Sequence, residues 1–341
     1  MCIRDRYVGN KHSIAVSNGS VALEIALKSL NLKTGDQVIV TPRSFIISAS
    51  CVINQGLRPV FADIDKNGNL DINGISNAFN IRVKAIILVH LNGLPCDITP
   101  IIKFVKKKKL FLIEDCSQAH GAKYKGKSVG SFGDVSTWSF CQDKIISTGG
   151  EGGMISTNNK KIWQFCWSFK DHGKNYFKAT NKNKTKNFKW LHEYYGSNYR
   201  MTEMQAAIGR IQLKRMDNWH NKRNENAQTI LKTCQEFSNL LRVPIIDNYL
   251  EHGWYKLYVY VRQEKLSKAW NRNRIIKEIS KFGIKCYAGS CSEIYLEKAF
   301  DNKYRPNKRL PNAKELGETS IMFLVHPTLT FSDINLSLIH I

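Results

Sequence analysis

The chain has 341 residues, and its 51 Lys and Arg against 28 Asp and Glu give a formal net charge of +23. Apolar residues make up 43% of the chain, which excludes a disordered protein, a collagen-like repeat and a small disulfide-stapled scaffold. The length predicts one large domain or two ordinary domains. No stretch stays apolar over the ~18 residues that a membrane span needs, so we expect no membrane partner.

The cysteine and charge patterns indicate a reduced protein of the cytoplasm. The nine cysteines are an odd number without a Cys-x-x-Cys pair, and the first residues contain no apolar stretch typical of a secretory signal. The positive charge is compatible with a nucleic-acid partner. However, its densest run, residues 106–109, comes at the end of a predicted helix, where cations complement the helix dipole. We therefore expect solvated surface lysines and no nucleic-acid partner.

Short apolar runs alternate with helical patterns over the first 160 residues. The predicted strands are residues 13–17, 37–41, 59–64, 84–90, 110–115, 135–140 and 153–156. The predicted helices between them are residues 21–30, 45–54 and 98–107. Strands separated by helices of this length predict an α/β fold with a mostly parallel central sheet.

The second half of the chain changes character. Residues 176–190 are rich in Asn and Lys and are predicted to be a mobile loop. Thr202, with Gln205 as capping-box partner, is predicted to begin a long helix that runs to about Phe237. A smaller α+β unit follows, with strands at 254–261 and 321–325 and a helix at 272–281.

This pattern predicts two domains, a large one at 7–237 and a small C-terminal one at 238–335. Residues 1–6 and 336–341 do not continue the neighbouring patterns. We interpret them as foreign ends and assign them no function.

Four segments contain the residues that chemistry requires. In the first, residues 17–27, a strand ends at a small-residue turn and a helix begins, so Gly19 and Ser20 are candidates for an anion site at the helix start. In the second, residues 113–122, Asp115 lies at the carboxyl end of a buried strand, where open α/β sheets bind ligands. Each residue also has a purely structural interpretation, in which Ser20 is an ordinary helix N-cap and Asp115 caps a helix.

The third and fourth segments contain a lysine and a helix start. Lys144 follows a strand and precedes the run GGEGGM, so it is a candidate Schiff-base nucleophile, although most lysines are surface cations. The glycines match neither GxxxxGK[ST] nor GxGxxG, which excludes a P-loop and a Rossmann motif. Asn198 and Arg200 precede the long helix. No His, Cys and Asp grouping has the spacing of a metal site, and we interpret His120 as structural.

Together, these segments resemble the sugar aminotransferases of the DegT/DnrJ/EryC1/StrS family. The resemblance runs from about residue 8 to 329 and centres on an EDxxQAxGA-like run, an SFxxxK-like run ending in GGEGGM, and an NYRMTEMQAAIG-like run. It implies an aspartate-aminotransferase-like fold, known as fold type I, with pyridoxal 5'-phosphate as the cofactor. It also implies a homodimer with shared active sites.

The resemblance also implies roles for individual residues. Lys144 matches the lysine that forms a Schiff base with the cofactor and moves the proton, and Asp115 matches the carboxylate that pairs with the pyridine nitrogen. Gln118 matches the side chain beside the ring. The remaining matches are Gly19, Ser20 and Ser139 for the phosphate cradle, Phe45 for the aromatic that stacks on the ring, and Asn198 for a phosphate contact from the partner subunit.

The implied reaction transfers an amino group, from glutamate, to a keto-sugar carried on a nucleoside diphosphate. Two alternatives remain open: a sugar dehydratase or deoxygenase on the same scaffold, and an inactive binding shell with a basic surface. In the deoxygenating relatives a histidine replaces the Schiff-base lysine, and Lys144 argues against that reaction. The family usually has a further N-terminal segment before Tyr7, and many relatives have a His-Tyr segment near residues 282–295, so the identity of the sugar stays open.

Overall fold

The computed structural model describes residues 7–180, 190–290, 293–330 and 333–334. The strands are β1 (His12–Val16), β2 (Gln37–Val40), β3 (Arg58–Phe61), β4 (Val83–Val89), β5 (Phe111–Asp115), β6 (Lys123–Tyr124), β7 (Lys127–Ser128), β8 (Val135–Ser139), β9 (Gly153–Thr157), β10 (Leu241–Arg242), β11 (Leu250–Glu251), β12 (Leu257–Val261), β13 (Cys286–Tyr287) and β14 (Ser320–Phe323). The helices are α1 (Gly19–Lys28), α2 (Ile47–Asn54), α3 (Ile72–Ala78), α4 (Ile98–Lys108), α5 (Lys160–Phe169), α6 (Tyr176–Thr180), α7 (Glu203–Lys214), α8 (Met216–Glu236), α9 (Arg272–Lys281) and α10 (Pro311–Thr319).

A seven-stranded sheet in the order β1-β9-β8-β5-β4-β2-β3 forms the centre of the molecule. The pairings from β3 to β8 are parallel, whereas β9 is antiparallel to both β8 and β1. The predicted α/β fold with a mostly parallel sheet is therefore confirmed. The antiparallel direction of β9 follows from its connection, because a hairpin loop at 140–152 replaces a crossover helix.

Alternating side chains of the sheet enter two different cores, as the period of two in a strand requires. Leu112 of β5 packs in one core together with Ile86 and Leu88. Its neighbour Ile113 packs in the core on the other face, together with Ile87. The strands are buried on both faces, so they read as apolar runs rather than as alternating patterns.

The chain after residue 240 forms a separate four-stranded sheet in the order β10-β12-β14-β13. Helices α8 and α9 contribute to its core. This arrangement matches the expected smaller α+β unit, while the division of the chain near Phe237 stays a prediction. The ends assigned to 1–6 and 336–341 lie outside the described residues.

Three predicted elements differ from the structure. The long helix begins with the predicted capping box at Thr202 and Gln205, but it breaks at Arg215 into α7 and α8. The predicted loop at 176–190 begins with the short helix α6, and residues 181–189 lie outside the described part. The strand predicted from residue 254 begins only at Leu257, because Trp254 has a φ of 52°, a left-handed conformation that no strand residue adopts.

None of the helices in the described part of the chain combines the length and the apolar character of a membrane span.

Candidate active site

The carboxyl ends of the parallel strands bring the first three sequence segments together. Asp115 of β5 pairs with Thr137 of β8, and Ser139 ends β8 beside the start of α1. A Cβ on Gly19 would lie 2.6 Å from the Cβ of Ser139. Only glycine therefore allows this helix start to approach the strand, which explains a glycine that is not required by its φ angle.

The first turn of α1 presents backbone N–H groups at this strand end. Asn18 caps the helix, since its Oδ1 accepts from the N–H of Val21 at 2.9 Å. The N–H groups of Gly19 and Ser20 find no acceptor among the described residues. Free N–H groups at the positive end of a helix dipole bind phosphate well, and the buried Ser139 hydroxyl lies beside them.

At the same edge of the sheet, the carboxylate of Asp115 has one oxygen that accepts no hydrogen bond from the described residues. Its side chain is buried, and its Oδ1 accepts from the N–H of Ser117 at 3.1 Å. No other hydrogen bond to this carboxylate occurs in the described part of the chain. A buried carboxylate needs a donor or a cation, so its second oxygen is available to a protonated ring nitrogen.

Gln118 is held through its amide oxygen, and its amide nitrogen has no hydrogen-bond partner among the residues that the structure describes. Its Oε1 accepts from the N–H of Asn92 at 2.7 Å, in a tight turn where Asn92 has a φ of 54°. The carbonyl of Asn92 in turn accepts from the N–H of Tyr255 at 2.9 Å. The turn thus ties Gln118 to the chain that enters the small sheet.

Lys144 lies in the hairpin loop between β8 and β9, and its side chain is only 17% exposed. Its Nζ is 3.2 Å from the hydroxyl of Tyr255 and 3.2 Å from Oδ1 of Asp143. The hydroxyl of Tyr255 donates to Oδ2 of Asp143. Lys144 and Asp115 do not pair with each other, which is what two groups on opposite sides of one bound ring require.

The electrostatics of this group favour a charged Asp143 and a neutral Tyr255. Partial burial raises the pKa of Asp143, but the hydrogen bond from Tyr255 and the charge of Lys144 outweigh it, so the net pKa lies below its ordinary value. Burial, and then the hydrogen bond to Asp143, raise the pKa of Tyr255 far above its ordinary value. The hydroxyl of Tyr255 therefore keeps its proton.

The fourth segment packs against the hairpin loop that contains Lys144, and it also contains Asn198. The N–H of Ser147 donates to Gln212 at 2.7 Å, and Gln205 donates to the carbonyl of Glu151 at 2.8 Å, so α7 packs on the hairpin loop. The carbonyl of Tyr199 accepts from the N–H of Ser17 at 2.9 Å. Asn198 beside it is exposed, and its predicted contact with a partner subunit stays a prediction.

Phe45 lies apart from these contacts. Its side chain is 66% exposed, just before α2 and three residues after Pro42. The structure shows no ring or hydrogen-bond partner that packs its side chain within the described residues. Its role in stacking on a cofactor remains a prediction as well.

Sequence reasoning missed Tyr255, Asp143 and Asn92. Asp143 is the residue before Lys144, so the sequence alone was enough to place it near the lysine. Tyr255 is 111 residues away, and nothing in its local pattern distinguishes it from the neighbouring buried tyrosines. Only the turn at Asn92 brings it to the lysine.

Two other features are separate from this site. His90, Glu114 and Cys116 have ligand atoms within 4.8 Å of one another, but hydrogen bonds already engage the lone pairs of His90 and Glu114. A cavity of about 710 Å³ lies on the other face of the sheet, lined by His120, Trp138 and helix α7. Neither Lys144 nor Asp115 lines it.

The residues at the sheet edge fit pyridoxal phosphate on structural grounds. The free N–H groups of α1 and Ser139 suit the phosphate, the spare oxygen of Asp115 suits the ring nitrogen, and the amine of Lys144 suits the aldehyde. The close approach of Gly19 to Ser139 brings the start of α1 and the Ser139 hydroxyl together, since a Cβ at Gly19 would collide with Ser139.

Comparisons with known proteins agree with this geometry. The chain is 33% identical over 321 residues to the GDP-perosamine synthase of Escherichia coli O157:H7, covering 94% of this chain and 82% of the relative. The solved aminotransferase from Psychrobacter cryohalolentis superposes with a TM-score of 0.98 at 50% identity, covering 99% of this chain and 88% of that one.

A second solved structure contains the cofactor. The E. coli GDP-4-keto-6-deoxy-D-mannose-3-dehydratase, solved with bound hydrated pyridoxal phosphate, has a TM-score of 0.88 at 26% identity, covering 100% of this chain and 90% of that one. The model of the DegT/DnrJ/EryC1/StrS aminotransferase family matches residues 5–336. The resemblance inferred from the four segments is confirmed, and the chain belongs to the DegT/DnrJ/EryC1/StrS aminotransferase family.

Proposed function

We propose that this pyridoxal-phosphate-dependent aminotransferase moves an amino group from glutamate to a keto-sugar carried on a nucleoside diphosphate. The observation that carries the proposal is Lys144, a largely buried amine at the carboxyl edge of the sheet, on the same edge as the spare oxygen of Asp115. The names of a similar perosamine synthase and a similar dehydratase both refer to GDP-linked sugars. They support a nucleotide-linked sugar as the substrate class.

In this proposal, each residue at the sheet edge has a separate role. Bound pyridoxal phosphate supplies an electron sink for the carbon that gains or loses the amino group. Asp115 holds a proton on the ring nitrogen through its free oxygen, and Gly19, Ser20 and Ser139 hold the phosphate. Gln118 offers its free amide nitrogen to the ring oxygen, and Phe45 covers the ring face. Lys144 Nζ takes the proton from the substrate carbon and returns it.

A homodimer belongs to the same proposal. Helix α7 has no buried residue within this one chain, and its Met204 and Ile211 are 77% and 57% exposed. Apolar side chains exposed in such numbers indicate a surface that another molecule covers, and a second copy would bring Asn198 to the neighbouring site.

The test begins with the absorbance of the purified protein. The wild type is expected to absorb in the visible region through a Schiff base between Lys144 and the cofactor, and Lys144→Ala should abolish that band. Lys123→Ala, which removes an exposed lysine paired with Glu251, is the matched control and should keep it. A band retained in Lys144→Ala contradicts the assignment of the lysine.

The substrate class is tested by incubating the holo-protein with glutamate and a panel of keto-sugar nucleotides, followed by mass spectrometry. An amino-sugar product supports the proposal. Loss of a sugar hydroxyl without gain of nitrogen would instead support the dehydratase reaction. A protein that binds no cofactor but binds polyanions with a steep salt dependence would contradict the proposal altogether.

A further inference from the structure

Lys144, Asp143 and Tyr255 form a closed triangle of polar groups that no part of the family motif explains. Lys144 Nζ lies 3.2 Å from the Tyr255 hydroxyl and 3.2 Å and 3.5 Å from the two oxygens of Asp143. The third side of the triangle is the hydrogen bond from Tyr255 to Asp143. Each member therefore contacts the other two.

The direction of each hydrogen bond follows from the number of protons available. A tyrosine hydroxyl carries one proton, and Tyr255 donates it to Asp143. Its oxygen can then only accept from Lys144. One of the four tetrahedral positions around Nζ is taken by the bond to Cε. Two of the other three are thus directed at Tyr255 and Asp143, and the third points away from both.

The position of Tyr255 is fixed by backbone contacts on both sides. Its N–H donates to the carbonyl of Asn92 at 2.9 Å. The carbonyl of the preceding Trp254 accepts from the buried guanidinium of Arg223 at 3.0 Å, and Trp254 has a left-handed φ of 52°. A non-glycine residue in this conformation is strained, so the surrounding contacts hold this segment in place.

The charged groups around Lys144 come from several elements. Asp143 adds a negative charge from the same loop, Lys256 adds a positive charge next to Tyr255, and Arg223 adds one from α8. His120 stays neutral, because burial, and then the charges of Lys144 and Arg223, lower its pKa to about 3. Asp143 is thus the anion that balances the amine.

We propose that Tyr255 and Asp143 form a positioning pair that holds two positions of Lys144 Nζ and directs the third toward the substrate carbon. This inference rests on the proposed function, since it assigns the pair a role in the proton transfer by Lys144.

The pair does not itself gain or lose a proton in this role. The lone pair of Nζ takes the proton from the substrate carbon and later gives it up again. Bound pyridoxal phosphate would supply the sink for the electrons of the broken C–H bond. The proton between Tyr255 and Asp143 stays in place, so the triangle is the same before and after the transfer.

The experiment compares Tyr255→Phe with Tyr260→Phe in the holo-protein. Tyr260 lies on β12, which begins shortly after Tyr255. It is buried and donates its hydroxyl to the carbonyl of Asn67 at 3.1 Å, away from Lys144. The readouts are the rate of the glutamate half-reaction in a single turnover, the isotope effect with α-deuterated glutamate, and cofactor affinity. A structural role alone would not change the isotope effect.

Tyr255→Phe is expected to slow the half-reaction about 10–100-fold, because a misaligned reacting group loses rate on that scale. Its isotope effect should rise, since proton transfer becomes more rate-limiting. Its cofactor affinity should stay near that of the wild type, because the Tyr255 hydroxyl contacts Lys144 and Asp143 and not the groups that hold the phosphate and the ring nitrogen. Tyr260→Phe should match the wild type in all three.

A spectroscopic arm uses Asp143→Asn. Loss of the negative charge beside Nζ destabilises the protonated nitrogen, so the midpoint of the pH titration of the visible band should move to lower pH. The double variant should be no slower than the slower single variant, because residues that act as a unit are not additive.

Two outcomes overturn the inference, and they are distinguishable. If the wild type forms the visible band while Tyr255→Phe keeps the wild-type rate and isotope effect, the positioning pair is wrong and the proposed function stands. If the wild type forms no such band under cofactor saturation, the proposed function fails and this inference fails with it.

Discussion

Glu114 and Asp115 are consecutive carboxylates on β5, and they face opposite sides of the central sheet. Glu114 is fully buried and accepts four hydrogen bonds, from the N–H groups of Gly130, Phe132 and Gly133 and from His90. Asp115 is almost as buried but accepts one bond in the described part of the chain. The two carboxylates are thus similarly buried, but they differ in the number of hydrogen bonds that they accept.

The difference separates a structural acid from one available to a ligand. Burial raises the pKa of Glu114, but the hydrogen bonds from His90 and from the loop outweigh it, so its net pKa lies below its ordinary value. The charged Glu114 therefore clamps the loop at 130–133 to β5. Asp115 accepts a single hydrogen bond from the described residues, which is expected of a group that a cofactor completes.

The largest expected effect is on Asp115. Asp115→Asn keeps the size of the side chain but removes the charge, so the half-reaction with glutamate should slow about 10²–10³-fold. Thermal unfolding of the protein without cofactor should change little, because the carboxylate is not saturated by the fold. A large loss of stability with normal turnover would reverse the assignment of the two acids.

The next effect is on Glu114. Glu114→Gln replaces one carboxylate oxygen by an NH2 group that cannot accept, so at least one of the buried donors loses its partner, at a cost of about 1–3 kcal/mol. Urea unfolding should show this loss in the free energy of unfolding. Turnover per folded molecule should change less than in Asp115→Asn, and equal losses of turnover in the two variants would remove the contrast.

A smaller effect concerns His120, which follows in the same segment and has no hydrogen-bond partner on either ring nitrogen within the described residues. Its pKa is lowered to about 3, first by burial, whereas the unfolded chain binds a proton near pH 6.5. Stability should therefore fall as the pH drops below 6.5, and His120→Leu should reduce this slope by about 1.4 kcal/mol per pH unit. Urea unfolding at pH 4, 5, 6 and 7 measures the slope, and an unchanged slope in the variant would show that His120 is protonated in the folded protein.

The smallest effect is expected at Glu251, an exposed acid paired with Lys123 at 2.9 Å. Glu251→Gln should change the free energy of unfolding by less than about 0.5 kcal/mol, because exposed pairs are screened by water. It serves as the control for Glu114→Gln in the same urea experiment. A loss as large as that of Glu114→Gln would mean that the amide substitution, rather than burial, sets the cost.

The sequence by itself determined the alternation of elements and the placement of the reactive groups along the chain. Strand runs such as 110–115, the capping box at Thr202 and the small-residue turn at Gly19 are local signals, because propensity, capping and close approach act over a few residues. These signals were sufficient for the fold class and for Lys144 and Asp115 as candidates.

Tertiary structure decided how those groups are completed. The break at Arg215, the direction of β9 and the left-handed Trp254 depend on packing against distant elements, which no local pattern encodes. The contact of Tyr255 with Lys144 across 111 residues arises from a backbone hydrogen bond to Asn92. Likewise, the loop at 130–133 and His90 saturate Glu114, whereas Asp115 accepts one hydrogen bond from the described residues. Hydrogen-bond saturation depends on what the folded chain brings near each oxygen.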